Sequence, residues 1–517
     1  MKFRQLIPVA AAVMAVTLAA CGGDGEKKNG NGAGGDASRL VMPLQSSPTN
    51  LDPRVGNDNA SGRIFDLCCR GLVRATPEMD YAPDLAQSWE TPDDKTIIFK
   101  LNPNAKFHDG RPVTAQDVKW TYDSLMADAF TSAKKSGYAA VASIEAPDPQ
   151  TVIFRLKEPN AGLFDNLNLG IVPQGTDTNV AKSKPVGFGP YRVTEFRTDE
   201  VVELEAVDNW VHGAPKIKNI TVRIVPDATT MVLEMRRGTI DLEVNQIPFE
   251  NVEEFEKSPK HQVVKKPGSV YQYLAFNLKD PILSKVEVRR AIAHAINRQR
   301  IVQDLLRGHG VLTDTIFGQG HWVRAENLPT YPFDPNKAKQ LLDQAGYKDP
   351  DGDGPKPRFS LVFKSSTNQE ANLRAEMIQQ MLRQVGIDMK IQTSELGTFL
   401  EDVGKGNFQM FSLSRNGIAD PDWYYILFHS ANFPPEGQNR GFYSNPRVDQ
   451  LITEGRSTFD REKRKQAYAE VQRILQEDLP YVSLYHQVNV AVMDKDLQGY
   501  VMYPAGFWLG VPQMSRQ

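Results

Sequence analysis

The sequence predicts an α/β protein with a strand-rich, mixed α+β first lobe and a second lobe in which helix and strand alternate. Three observations carry this. The stretch Ser269–Ile301 opens on Tyr271, Tyr273 and Ala275, a period-2 run typical of a half-buried strand. It breaks at Lys279–Asp280–Pro281 and continues as two helices. Strands dominate before it, and helices alternate with strands after it. A chain of 517 residues exceeds one hydrophobic core, so about two to four domains are expected. The stretch reads as the crossover between lobes.

Within the crossover, Val288, Ala291, Ile292, Ala295 and Ile296 share one helical face, with Arg289 and Arg290 turned away. The next apolar set, Ile301, Val302, Leu305 and Leu306, is out of step with the first. Asn297 sits at the fault and suits the N-cap of a second helix.

In chain order, Lys2 and Arg4 precede an apolar run from Leu6 to Thr17, which fits a secretory signal in residues 1–21. It ends Leu18–Ala19–Ala20–Cys21, which resembles the lipobox of bacterial lipoproteins and implies lipidation at Cys21. No later run reaches the ~18 apolar residues a membrane span needs. Residues 22–38 are Gly-rich and polar, a flexible tether. Gly30, Gly32 and Gly35 spell G-x-G-x-x-G, but no strand precedes and no apolar helix follows, which excludes a dinucleotide site. Cys68 and Cys69 lie in the apolar run IFDLCCRGLV. Adjacent cysteines rarely pair with each other, so both read as small buried apolar residues.

The first lobe offers strands at Arg39–Leu44, Thr96–Leu101, Thr151–Leu156, Val201–Val207 and Ile217–Val225. Thr114 and Asp117 form a capping-box start for a helix that buries Val118, Tyr122 and Leu125. His108–Asp109 belongs to the turn before it, with no nucleophile nearby. Ala228–Arg237 is a helix stopped by Gly238, and Gln262–Lys265 a short strand. In the second lobe, helices are expected at Asp334–Ala345, Asn368–Val385 and Arg461–Glu477. Strands are expected at Phe359–Phe363, Met389–Ile391, Phe408–Leu413 and Tyr481–Tyr485. Asp349–Gly354 matches the first half of a calcium loop, but Ser360 stands where a bidentate Glu is needed, so it reads as a solvated turn.

The function classes narrow quickly. A net charge of −3 leaves no nucleic-acid footprint. No G-x-S-x-G elbow, H-E-x-x-H helix or paired-His metal spacing occurs, so a secreted hydrolase is the weaker alternative.

Several segments together resemble the extracytoplasmic solute-binding proteins of ABC importers for oligopeptides, dipeptides and nickel. They are NLDP (Asn50–Pro53), APDLAQSW (Ala82–Trp89), KFHDGRPVTAQDVKWTY (Lys106–Tyr122) and GFGPYRV (Gly187–Val193). They continue with Phe276–Val302, Phe333–Tyr347, ADPDW (Ala419–Trp423), Tyr443–Ile452 and Arg461–His486. The resemblance spans Leu40–Tyr503. It implies a two-lobed periplasmic-binding-protein fold with an interlobe ligand cleft. Lobe I is expected from residues 38–59, 181–272 and 484–517, an inserted subdomain from 60–180, and lobe II from 273–483. It implies a monomeric binding protein rather than an enzyme, with no cofactor and no metal. A peptide is its commonest solute, and a nickel chelate or another anionic solute is the alternative. The implied partners are an ABC permease and its ATPase. The implied location is extracytoplasmic, with the membrane reached through lipidated Cys21. A lipoprotein that sequesters or senses solutes without a permease has the same sequence signature.

In peptide-binding members an Asp before the DPD-like segment meets the ligand's α-amino group. Here that position falls on Gly417 or Ile418. Asp420 is the shifted substitute, and Arg415 stands where the family often has an aromatic, which favours a carboxylate or phosphate. Tyr271 and Tyr273 on the crossover strand, with Trp423, Tyr424 and Tyr425 after the turn, complete the candidate ligand-binding set.

Overall fold

A computed structural model describes residues 37–352, 354–435 and 437–517. The signal segment, Cys21, most of the tether and Asp353 of the calcium-like loop lie outside the described residues.

The fold is organised on three main sheets. In the first, Arg39–Leu44 pairs in parallel with Asn219–Ile224, followed by Val201–Ala206 and Tyr191–Arg197, both antiparallel. Leu40, Met42, Tyr191, Val202 and Val222 bury its apolar face. The second sheet is an antiparallel four-strand layer, ordered Ala86–Asp93, Thr96–Leu101, Thr151–Leu156, Val141–Asp148. The helix Ala115–Met126 packs on it through Val118, Tyr122 and Leu125. That helix starts on a reciprocal capping box: Asp117 accepts the Thr114 N–H at 2.9 Å, and Thr114 accepts the Asp117 N–H.

The third sheet joins the rest. Its order is Leu242–Val244, Tyr481–Asp494, His261–Phe276, Met410–Arg415, Phe359–Ser366, Ile387–Ser394, and Gly310–Leu312 also pairs with Tyr481–Asp494. The two central strands are 16 and 14 residues long and antiparallel. One end of the pair meets Leu242–Val244; the other meets Met410–Arg415. Sequence patterning divides His261–Phe276 into Gln262–Lys265 and Ser269–Phe276 and ends the partner at Tyr485. The structure keeps the strand continuous and places its register shifts between Pro267 and Tyr271 and between Gln272 and Tyr273. Gly268 is required there: a Cβ would lie 2.4 Å from Asn489 Oδ1.

The crossover helices are Val286–Ala295 and Arg298–Leu306, and Asn297 caps the second by accepting the Arg300 N–H at 2.9 Å. Their apolar faces pack with Leu274, Phe276, Leu342 and Ile378 in the second lobe's core. Asp334 and Asn368 likewise cap Pro335–Gln344 and Gln369–Arg383.

Two expectations are corrected. Arg289 is not turned to solvent: it is 4% exposed. Its Nη1 donates to Leu283 O and Ser284 O at 2.8 Å, and its Nε to Asp478 O and Leu479 O at 3.1 Å. The carbonyls ending the helix Arg461–Asp478 need donors, and a cation there also meets the negative end of the helix dipole. Cys68 and Cys69 do not stand as separate thiols: the structure joins them to each other. The helix Asn59–Cys68 ends between them, so Cys69 leaves helical geometry (φ −138°, ψ 77°) and the two sulfurs meet.

Arg289→Met should therefore lower unfolding stability by about 2–4 kcal/mol, since it strands four buried carbonyls. Urea denaturation measures it; a loss below about 0.5 kcal/mol, the level of a surface substitution, would contradict the assignment.

Candidate functional site

Three cavities adjoin the place where the sheets meet. A central one of about 200 Å³ is bounded by Pro77–Met79, Pro267–Ser269, Gly318–His321, Ile418 and Pro504. Following the chain from Met79 back to Val73, and from Pro504 on to Phe507 and Leu509, leads to a second cavity of about 440 Å³. Following the crossover strand onward to Val270 and Gln272 leads to a third of about 510 Å³, lined also by Glu370, Arg374, Ser412 and Ser414. The central cavity lies at the register shift after Pro267, with Pro77–Met79 facing Gly318–His321 and Ile418 across it, and the third lies beside Gln272; the second is lined by residues 53–170 with Phe507 and Leu509. The central cavity has the geometry of a cleft with a wall on each side of a bendable strand.

The 440 Å³ cavity carries Asp66, Arg70, Arg74, Asp84 and Lys134 in its wall. Burial pushes the Asp66 carboxyl up to about 7, against the opposing pull of Arg70, Arg63 and the Trp508 N–H, which it accepts at 2.7 Å. Burial likewise pulls Lys134 down to about 8, with Asp52 and Asp58 opposing. Its Nζ donates to Pro53 O at 2.7 Å and lies 5.2 Å from the Phe65 ring centre. Cys69 lines the same wall. Three glycines press on the cysteine pair: a Cβ at Gly170 would sit 2.5 Å from Cys69 O, and one at Gly187 or Gly189 2.6 Å from Cys68 O. In the 510 Å³ cavity Arg374 is buried and donates to Glu370 at 3.0 Å and to the Tyr485 hydroxyl at 3.2 Å.

The residues singled out by sequence fall in different places. Tyr271 and Tyr273 stack at 5.4 Å and are 1% exposed. The Tyr271 hydroxyl bonds Ser483 Oγ at 2.8 Å, and Tyr273 stacks on Tyr481 at 4.6 Å. Tyr424 is equally buried, its hydroxyl 2.9 Å from Thr315 Oγ1. All three belong to an apolar core, and Tyr271 and Tyr424 also line a small cavity of about 20 Å³ beside Thr315 and Ser483. Strand alternation puts Val270 and Gln272 on the face of the 510 Å³ cavity and Tyr271 and Tyr273 on the other. Asp420 is corrected as a free acid. It is buried, and both its oxygens accept from Arg464 Nη2, at 2.7 and 2.9 Å. Arg415 donates to Gln438 Oε1 at 2.7 Å and lies 5.7 Å from the ring centre of half-buried Trp423. Tyr425 is half-buried, 3.7 Å beneath the Arg456 guanidinium. Next to Arg415, Asn416 reaches the junction itself. Ser269 Oγ donates to its Oδ1 at 3.2 Å, and its Nδ2 donates to Ala505 O at 3.5 Å.

Sequence reasoning missed Asp66, Arg70, Lys134 and Arg374. A signal existed for the first two: an acid and a base four residues apart interrupt the apolar run IFDLCCRGLV.

A second set of contacts joins the Thr96–Leu101 sheet region to the second lobe beside the cleft. Arg461 pairs with Asp80, Phe459 meets Phe164 edge-on at 6.0 Å, and Gly162 lies against the Asp422 side chain. Trp322 stacks beneath Arg461 and Arg464, 4.9 and 5.5 Å from their guanidinium carbons. Arg456 Nε donates to Asp422 Oδ1 at 2.8 Å. Asp165 accepts from the Tyr81 hydroxyl at this interface. Burial, then the neighbouring Asp420 carboxylate, pushes Asp165 up to about 7. His321, 2.7 Å from Ala419 O, is pulled down to about 4 by burial.

The raised Asp165 gives a signed pH dependence. Its proton-linked stability is complete below about pH 4, the ordinary carboxylate value, and is lost as pH rises through about 7. Asp165→Asn keeps an acceptor for Tyr81 and should flatten the fall in urea midpoint between about pH 5 and pH 8. An unchanged slope would exclude Asp165 as a contributor.

Against known proteins, residues 80–434 match the bacterial extracellular solute-binding proteins, family 5 Middle. The oligopeptide-binding protein AppA of Bacillus subtilis is 28% identical over 518 residues, covering 95% of each chain. Its structure in complex with a nonapeptide superimposes with a TM-score of 0.75 at 26% identity, covering 93% of this chain and 99% of that one. The glutathione-binding protein GsiB of Escherichia coli is 29% identical over 489 residues, covering 90% of this chain and 93% of its own. NikZ of Campylobacter jejuni, solved with Ni(L-His), shares the fold at a TM-score of 0.77 and 24% identity, covering 93% of this chain and all of that one.

Proposed function

We infer the role of this chain from one premise: it belongs to the bacterial extracellular solute-binding proteins of family 5. It is the solute-capturing component of an ABC import system, and its solute is a small peptide. The observation that carries this reading is the central cavity at the register shift of the long strand pair, bounded by Pro77–Met79 on one side and by Gly318–His321 and Ile418 on the other. Bending at the register shifts changes the separation of the walls without breaking either lobe's core, which is what capture and release require. AppA binds oligopeptides and GsiB binds glutathione, itself a peptide, which supports the same class of solute here.

On this reading residues 38–59, 181–272 and 484–517 form lobe I, 60–180 the inserted subdomain and 273–483 lobe II. The protein works as a monomer and performs no chemistry on the solute. It hands the solute to a membrane permease driven by an ATPase. No helix among the described residues is long and apolar enough to cross a membrane; lipidated Cys21 supplies the attachment.

Native mass spectrometry of protein purified without refolding tests the reading. A ladder of peptide masses bound one per chain is the expected result. A single nonpeptide mass, or a metal complex, would replace the peptide assignment.

A further inference from the structure

A pocket of about 230 Å³ stands next to the central cavity. The segments that bound the central cavity continue into its wall: Met79 into Asp80 and Tyr81, His321 into Trp322, and Ile418 toward Asp420. Its rings come from two sides. Tyr81, Trp89 and Phe164 belong to the Thr96–Leu101 sheet region, and Trp322 and Phe459 to the second lobe. Phe164 joins the two sides. Its ring centre lies 5.7 Å from Tyr81, 5.6 Å from Trp89 and 6.0 Å from Phe459, the first two tilted and the last edge-on. Tyr81, Trp89, Trp322 and Phe459 are only half-buried, so aromatic surface is left for a guest. Thr91, two positions beyond Trp89 on the edge strand Ala86–Asp93, lines the pocket from the same strand face.

The charged groups of the wall pair off. Arg464 Nη2 donates to both oxygens of Asp420, at 2.7 and 2.9 Å, and Arg461 pairs with Asp80. The Tyr81 hydroxyl is taken by Asp165. Each guanidinium is matched by a carboxylate, so the wall selects neither a cation nor an anion. Drug-sized ligands fill roughly 300–1,000 Å³; this smaller space suits one uncharged group of a solute whose remainder lies in the central cavity. Aromatic rings that meet tilted or edge-on gain energy beyond their area burial, and a further ring extends a cluster already built that way.

We propose that this pocket is a side-chain subsite and that the captured solute is a peptide presenting an aromatic residue to it. This rests on the solute-capture reading above and deepens it by naming the side-chain class.

The test uses the full chain and three sets of tetrapeptides made of Gly, Ser and Thr. The sets are identical except that one residue, placed at each position in turn, is Phe, Leu or Ala. Binding is followed by native mass spectrometry. The wild type should bind the best-placed Phe peptide about tenfold or more tighter than its Ala counterpart, and tighter than its Leu counterpart. Thr91→Phe fills the pocket with a ring of the chain's own, on a strand position that suits an aromatic. It should weaken the Phe peptide about tenfold and leave the Ala peptide within about twofold. Phe459→Ala removes a ring from the opposite wall and should act in the same direction. Phe333→Ala, at a 43% exposed position outside the pocket, should change neither. Equal binding of the Phe and Ala peptides by the wild type overturns the subsite and leaves solute capture standing. Leu binding as tightly as Phe overturns the aromatic class. A Phe preference that survives both pocket variants also overturns the subsite. Either variant decides alone if the other does not fold, and the wild-type comparison decides if neither folds. Binding of no set defeats the peptide reading, and the subsite with it.

Discussion

The structure depends on one antiparallel ladder, His261–Phe276 against Tyr481–Asp494. At roughly 3.3 Å per residue, these strands are long enough to serve two cores at once. Each must have its backbone groups satisfied along its whole length. Leu242–Val244 does this at one end and Met410–Arg415 at the other. Between the two ends the ladder slips register near Pro267–Tyr273. A slipped ladder has fewer bonds to strain, so bending costs least there. The central cavity lies at that point, while Tyr271 and Tyr273 carry an apolar core past it.

Charge gives the cleft its second property. Asp66, Arg70 and Lys134 line one of the cavities and Arg374 another, with Arg70 and Arg374 buried and Asp66 and Lys134 half-buried. Beside the cleft, Arg461, Arg464, Asp165 and Asp420 meet across the contact between the inserted layer and the second lobe. Each buried group is stabilised only when an opposite partner meets it in the dry state, and the exposed Arg461–Asp80 pair is the weakest contributor because solvent screens it.

Local chemistry was legible in the sequence wherever the partners are near in the chain. Asn297, Thr114, Asp334 and Asn368 each cap a helix by bonding a backbone N–H three residues on, so residue type and spacing identify them. Arg289 was misplaced because its decisive acceptors, Asp478 O and Leu479 O, lie some 190 positions away. Tyr271 and Tyr273 were correctly placed on a strand, but alternation says only that two faces differ. Which face meets the cleft depends on Tyr481 and Ser483 arriving on the other side. The cysteine pair shows the same limit, since the glycines that enclose it are Gly170, Gly187 and Gly189.

The sequence by itself determined the α/β class, most helix and strand positions, the crossover and, through the order of its motifs, the family. Those features rest on periodicity, caps and turn residues, which act within a few positions. Only the tertiary structure decided that two apparent strands are one, that Asp420 belongs to Arg464, and that Tyr271 and Tyr273 pack into an apolar core. Those outcomes turn on burial and on which distant group supplies the partner, and neither is encoded in spacing along the chain.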